Sequence, residues 1–375
     1  MSKNYYSLGL MSGTSMDGVD VSIIKSDGDI EFKGIFNKYF EYSDDFSKKI
    51  LKIRDKINNT KDLNLYSKEL NNIEKEITLF HAKVTNEAIK EVNSNIDIIG
   101  FHGQTIFHSA KEMVSKQLGD GKLLSQETKK KVVYDFRQND LKNGGEGAPL
   151  APIFHKLISE KIKVEPPLCV INLGGIANIT SIESGEISDL GSQDIGPGNC
   201  LIDEWIKKNT NKKYDKDGLI AKSGKKDILI LNQALDNHDN LKKKNILSYD
   251  TKDFDLSFVR GLSLEDGAAT LTEFTGKLLA EATLNYISKL KTKPKKILVC
   301  GGGRKNSTLI NCLKDNMNIG NLVENIDNFG VDGDFIESQA FAYLAIRSFL
   351  NLPISFPKTT GCKHPSTGGK LVNNF

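Results

Sequence analysis

The sequence predicts an α/β protein built from two similar halves, and three observations carry that reading. The chain is 375 residues long, enough for two cores but generous for one. Strand-like apolar runs alternate with helix-like periodic ones along most of its length. Residues 168–180 also repeat the design of residues 8–20: an apolar run, a small polar Gly-rich centre, and a second apolar run. Two such units opening two halves suggest an internal duplication.

The first unit reads Leu8-Gly9-Leu10-Met11-Ser12-Gly13-Thr14-Ser15-Met16-Asp17-Gly18-Val19-Asp20. Its flanks, Tyr5 to Leu10 and Val19 to Ile24, alternate as strands, so the centre is the tip of a hairpin. Unblocked backbone N–H groups, two hydroxyls and a carboxylate meet there, which is what a nucleotide triphosphate and its metal ion require. Taken alone, Gly-Thr-Ser at such a tip reads first as a tight turn. The second unit, Leu168 to Thr180, carries Gly174-Gly175 at its centre. Two tips facing one ligand could clamp phosphates from both sides.

Residues 5–40 form three strands by this reading, joined at residues 13–18 and 27–29. Amphipathic helices follow at about 44–57 and 65–93, the second with Leu70, Ile73, Ile77, Phe80, Val84 and Ala88 at three- and four-residue steps. Strands at 96–101 and 131–136 end at His102-Gly103-Gln104-Thr105 and at Arg137. Polar groups beginning where parallel strands stop suit a ligand site. Later strands are expected at 168–173, 176–183 and 296–300, and helices at about 150–160, 199–208, 263–289, 304–315 and 335–350. Residues 209–255 are rich in Lys, Asn and Asp and read as a solvated helix with loops. The domain boundaries expected from this pattern are 1–130 plus about 351–375 for the first half and 131–350 for the second.

The 51 basic and 48 acidic residues are interspersed, leaving a formal charge of +3 and only short basic runs, which argues against nucleic-acid or lipid partners. The start, Met1 to Tyr6, is short and polar, and no apolar run approaches the ~18 residues of a membrane span, so a soluble cytoplasmic protein is expected. Five scattered cysteines (169, 200, 300, 312 and 362) form no Cys-x-x-Cys pair, which argues against structural zinc and a disulfide framework.

Familiar nucleotide loops are absent. Gly218 to Gly224-Lys225-Lys226 has the wrong spacing for a Walker-A loop and lacks its Ser or Thr. Cys300-Gly301-Gly302-Gly303-Arg304-Lys305-Asn306 follows a strand without the spaced third glycine of a dinucleotide site. It is either a plain helix-start turn or a place where Gly301, Gly302 and Gly303 let the backbone approach a flat base and sugar.

The catalytic candidate is Asp194, in Asp194-Ile195-Gly196-Pro197-Gly198-Asn199. Gly-Pro-Gly makes a rigid bend, Asn199 can cap a helix starting at Cys200, and a carboxylate before the bend can project into a cleft and abstract a proton from water. A turn-stabilising Asp is the alternative. Arg137, ahead of the loop Asn143 to Leu150, is either a bidentate partner for a carboxylate or phosphate or a surface ion-pair former. His102 is either a hydrogen-bond partner for a sugar hydroxyl or a structural histidine. Glu337, opening a helix, suits the helix dipole or a site equally.

With these residues in hand, the chain resembles the anhydro-N-acetylmuramic acid kinase family, within the actin-like ATPase and sugar-kinase superfamily. The resemblance runs from residue 8 to about 370 and rests on blocks in family order: 9–20, 101–105, 135–137, 144–149, 172–178, 194–199, 300–306 and 336–345. It implies two duplicated ribonuclease-H-like (actin-like) domains with ATP in the cleft between them. The reaction implied is conversion of ATP, water and 1,6-anhydro-N-acetylmuramic acid to ADP and N-acetylmuramic acid 6-phosphate, in recycling of peptidoglycan fragments.

By this resemblance Gly13, Thr14, Ser15, Met16, Asp17, Gly18, Val19 and Asp20 hold the triphosphate and Mg²⁺, with Asp17 the metal candidate. Gly174 and Gly175 take the opposing phosphate face, Gly301 to Gly303 the adenosine, and Asp194 is the base. His102, Arg137 and Glu337 are the sugar-binding candidates, and a homodimer is a further expectation. Two departures stand out: Ile195 occupies a place where the family usually has Thr, and residues 244–252 keep only Ser248 of the family's Pro-Lys-Ser-Thr-Gly-Arg-like segment. A kinase of another amino sugar without ring opening, and a non-catalytic sensor that closes on ATP and sugar, are the alternatives.

Overall fold

The computed structural model describes residues 3–241, 249 and 251–375, with the side chains of 239–241 excepted. The chain separates into two units, residues 1–163 with 335–375, and residues 164–334.

The first unit opens with β1 (Tyr5–Ser12), β2 (Gly18–Ser26) and β3 (Phe32–Glu41), followed by α1 (Asp44–Lys56), α2 (Thr60–Leu65) and α3 (Ser67–Val92). Then come β4 (Ile98–Ser109), β5 (Val114–Leu118), α4 (Gly121–Thr128), β6 (Lys131–Tyr134), α5 (Gln138–Lys142) and α6 (Pro152–Lys161). The second unit comprises β7 (Leu168–Leu173), β8 (Ile176–Ile182), β9 (Leu190–Pro197), α7 (Cys200–Asn209), α8 (Leu219–Ser223), α9 (Ile228–Leu241), α10 (Leu264–Ser288), β10 (Lys296–Cys300), α11 (Ser307–Asp315) and β11 (Val323–Asn325). The chain returns to the first unit with α12 (Ile336–Phe349), α13 (Pro357–Thr360) and β12 (Lys370–Val372).

Both sheets have one plan. In the first the order is β12-β6-β4-β1-β2-β3, with β5 paired to β4; in the second it is β11-β10-β7-β8-β9. In each, three consecutive strands form an antiparallel meander whose first strand pairs in parallel with a fourth, and the fourth with a fifth. That 3-2-1-4-5 arrangement, occurring twice, is the duplicated ribonuclease-H-like core. Interior strands carry nearly continuous apolar runs, as strands covered on both faces must: β7 is buried at every position.

The domain boundaries differ from those expected at 130 and 350. β6 pairs in parallel with β4, and so extends the first sheet. α12 is buried along most of its length and belongs to that unit too. Glycines at adjacent positions of β1 and β4, Gly9 and Gly100, explain its seat: a Cβ on Gly9 would stand 1.9 Å from Ser338 O, and one on Gly100 2.1 Å from Phe341 O. Without side chains there, the helix backbone lies directly on the sheet. The helical period of 335–350 marks an element with much apolar surface, but says nothing of which sheet it covers.

Four strands escape the sequence reading, the short β11 among them. β4 does not stop at His102 but runs on to Ser109 and folds back as β5. β9 carries Asp194 within a strand rather than before a bend, and β12 closes the first sheet antiparallel to β6. Each is short or carries polar or glycine residues that break the apolar alternation by which a strand announces itself. Among the described residues no helix is long and apolar enough to cross a membrane.

Candidate active site

In the first unit the β1–β2 tip is held from below. Met16 adopts a left-handed backbone, φ 55°, and buries its side chain in the core; a non-glycine residue there is uncommon and persists where its surroundings fix it. Gln104 Nε2 donates to Gly13 O at 3.0 Å, and Tyr42 N–H to Asp17 O at 2.8 Å. Beneath them His81 Nδ1 lies 2.8 Å from Ile77 O, which places the ring proton on Nδ1 and leaves Nε2 as acceptor. Ser12 Oγ then donates to His81 Nε2 at 3.2 Å and accepts from Tyr42 at 3.1 Å. Burial holds His81 neutral by lowering its pKa to about 4. At the rim, Ser15 Oγ donates to Asp17 Oδ1 at 2.6 Å while Thr14 is exposed. Burial first, then the charges of Asp17, Glu41 and Asp20, push the Tyr39 phenol well above its usual value.

His102 lies on β4 and is buried, its ring centroid 4.4 Å from that of Phe341. Its Nδ1 is 2.8 Å from Gly103 O, and its Nε2 accepts from Arg137 Nε at 3.1 Å and from a terminal guanidinium nitrogen at 2.9 Å. Burial, reinforced by the Arg137 charge, holds its pKa well below the ordinary value. Both ring nitrogens of His102 are thus engaged by the protein, and its Nε2 holds the Arg137 guanidinium. The other terminal nitrogen of Arg137 donates to Gly147 O at 2.8 Å, in the Gly-rich loop. Beside them is a cavity of about 400 Å³, lined in part by Phe101, His102, Tyr134, Asp135 and Gln138. Glu337 is half-buried in the first turn of α12.

In the second unit the Gly174-Gly175 tip receives the chain that enters α7. Gly175 O accepts from the N–H groups of Gly198 at 2.9 Å and Cys200 at 3.3 Å, and Gly174 O from that of Asn199 at 2.8 Å. A Cβ on Gly198 would stand 2.1 Å from Gly174 O, so the turn demands glycine there. These carbonyls satisfy the free N–H groups at the helix start. Asn199 has helical backbone angles and its side chain makes no cap, which corrects the sequence expectation. Gly301, at φ +79°, turns above Leu173, and around Gly302 an added Cβ would meet nothing within 4 Å. The helix expected at 304 starts at Ser307, capped by Asn306; Arg304 instead lies in a short 3₁₀ turn with its side chain buried against Asp327, Asp332 and Asp334.

Asp194 is half-buried on β9, and its Oδ2 accepts the Tyr249 N–H at 3.0 Å. The register shifts beside it: Asn178 faces Asp194 and Ala177 faces Gly196, leaving Ile195 as the bulged residue. Ile195 turns its side chain into the unit's apolar core with Leu173, Ala177 and Leu201.

A family model for anhydro-N-acetylmuramic acid kinase matches residues 5–374. The chain belongs to the anhydro-N-acetylmuramic acid kinase family. It is 55% identical over 375 residues to an anhydro-N-acetylmuramic acid kinase of Pelagibacter ubique, covering 100% of both chains. A protein of that name from Zymomonas mobilis is 42% identical over 97% of this chain and 98% of its own, and one from Rhodospirillum rubrum 38% over 97% and 93%.

Of the residues that resemblance to anhydro-N-acetylmuramic acid kinases singles out, Gly13 to Asp20, His102, Arg137 and Glu337 fall in the first unit, and Gly174, Gly175, Asp194 and Gly301 to Gly303 in the second. Sequence reasoning missed Gln104 as the support of the first tip, the buried Ser12–Tyr42–His81 chain, and Asn178 opposite Asp194. His81 sits on the apolar stripe of α3, and its step of four from Ile77 was the available signal. The divergent segment 244–252 lies outside the described residues except for Tyr249, Thr251 and Lys252.

Proposed function

We infer that this chain carries out its family's ATP-dependent kinase reaction: it hydrolyses the 1,6-anhydro bond of 1,6-anhydro-N-acetylmuramic acid and phosphorylates O6, giving N-acetylmuramic acid 6-phosphate for cell-wall recycling. Full-length family membership carries the reading, and a carboxylate fixed by a backbone donor on β9 supplies a base for it.

One carboxylate is enough for this chemistry. An inverting glycosidase needs a base for water and an acid for the departing oxygen. Here the departing O6 takes the γ-phosphoryl group instead of a proton, so no second acid is required. Asp194 accepts the proton of the water attacking C1, O6 attacks phosphorus in line, and ADP leaves. The Tyr249 N–H holds Asp194 Oδ2 in place on β9.

The β1–β2 tip is assigned to the triphosphate, with Gly174-Gly175 and Gly301 to Gly303 taking phosphate and adenosine. Magnesium is part of the proposal. Among the described residues no group of three or more His, Cys, Asp or Glu forms a metal cage, but a nucleotide-borne magnesium takes most ligands from phosphate and water and needs only one or two carboxylates. Asp17, ordered by Ser15, meets that demand. The ion would neutralise phosphate charge during transfer. Arg137, held by His102, suits the carboxylate of the muramic acid side chain, and Glu337 is assigned to the sugar. A cytoplasmic homodimer completes the proposal on the family resemblance.

The test is ADP release by the purified protein with Mg-ATP, with and without the anhydro sugar. Release that depends on the sugar supports the reading. Release with other amino sugars but not this one would favour a different kinase, and none with any sugar a binding protein.

A further inference from the structure

A row of polar side chains crosses the second sheet where the base stands. Asn172 faces Asn178 across β7 and β8, and Asn178 faces Asp194 across β8 and β9. Directly opposed residues of an antiparallel pair share a face, with Cβ atoms about 4.5–5.5 Å apart. The alternate residues Ile171, Leu173, Ala177, Ile179 and Ile195 belong to the apolar core, so the row occupies the other face.

Its members differ in how their polar atoms are satisfied. Asp194 Oδ2 accepts from Tyr249 N–H, and Asn172 Oδ1 lies 3.8 Å from Cys300 Sγ. Asn178 Oδ1 is buried and has no hydrogen-bond partner among the described residues. Buried amide oxygens are nearly always satisfied, and one that is not calls for a ligand or water. This one stands directly across from the proposed base.

We propose that Asn178 positions the water that Asp194 deprotonates; the assignment rests on the kinase reading above. Water has two O–H groups, and a carboxylate alone orients one of them. With the first directed at Asp194 and the second donated to Asn178 Oδ1, a lone pair of the oxygen is left to face C1. The O–C1 bond then forms as C1–O6 breaks; O6 bonds to phosphorus as the bond to ADP breaks, and the proton remains on Asp194 until solvent removes it. Asn178 never changes protonation. It is a positioning residue, and its loss acts on turnover rather than on substrate affinity.

The experiment is steady-state kinetics of wild type, Asn178→Ala and Asn178→Asp with Mg-ATP and 1,6-anhydro-N-acetylmuramic acid, across pH. Asn178→Ala is expected to lower kcat by about 10- to 10²-fold with both KM values within about threefold of wild type. Asn178→Asp keeps the shape but sets a second carboxylate against Asp194, and two facing carboxylates titrate as a pair. Its acid limb in the pH–rate profile is therefore expected to move by at least about one unit. Should Asn178→Ala fail to fold, as seen by circular dichroism, the near-isosteric Asp variant decides. Wild-type turnover together with an Ala variant whose kcat lies within threefold, or an Asp variant whose profile superimposes on wild type, would overturn this assignment alone. Absence of wild-type turnover would overturn the kinase reading and this assignment with it.

Discussion

Arg137 is oriented by His102, whose Nε2 accepts from two guanidinium nitrogens at 2.9 and 3.1 Å. A neutral imidazole can accept there because burial and the Arg137 charge keep it unprotonated. The expected consequence is that His102→Ala frees Arg137 and raises KM for the sugar by about 10-fold while kcat changes by less, since the loss falls on binding. Steady-state kinetics with the sugar varied checks it, and a KM equal to wild type would remove Arg137's orientation from the account.

Asp194→Asn keeps the shape of the side chain and an oxygen for the Tyr249 N–H, but not the basicity. The expected fall in kcat is about 10²- to 10⁴-fold, the usual contribution of a general base. ATP binding, followed by calorimetry, is expected to be unchanged. Near-normal turnover would exclude Asp194 as the base.

Gly198→Ala forces a Cβ against Gly174 O, at 2.1 Å in the undistorted backbone. The second tip or the start of α7 must move. Chemical denaturation is expected to show a loss of about 1–3 kcal/mol, in the range of overpacked sites, together with weaker nucleotide binding. Unchanged stability would show that the tip is not fixed by this turn.

His81 and His155 are fully buried, and burial lowers the pKa of each to about 4 from 6.5. The folded state therefore binds fewer protons than the unfolded one below pH 6.5. Stability is complete above that value and falls as pH drops toward about 4, by about 1.4 kcal/mol per unit for each histidine. Guanidinium unfolding at pH 7.5 and 5.0 measures the slope, and His155→Phe is expected to make it shallower. An equal slope in the variant would contradict the neutral, buried assignment.

Much of this fold was legible because local pattern and local structure agree. The hairpin at 13–18, the Gly174-Gly175 tip and the helical stripe from Leu70 to Ala88 stand where alternation and periodicity set them. What the sequence concealed depends on contacts between distant segments. That α12 belongs to the first sheet follows from Gly9 and Gly100 meeting its backbone, and a lone glycine in a strand does not name its partner. That His102 serves Arg137 depends on β4 and β6 being neighbours in register. Asp194 looked like a pre-turn residue because Gly196-Pro197-Gly198 reads as a bend, yet β8 continues to pair through it, and the bulge that sends Ile195 into the core depends on that pairing. The departure at Ile195 from the family's usual Thr is, in this chain, a core residue.

The central claim is that one active site couples hydrolysis of the anhydro bond to transfer of phosphate onto O6. Its most direct test is the mass of the sugar product formed from Mg-ATP and 1,6-anhydro-N-acetylmuramic acid. A product heavier than the substrate by one phosphoryl group and one water is the expected result. A gain of the phosphoryl group alone would contradict the account and make the protein an ordinary sugar kinase.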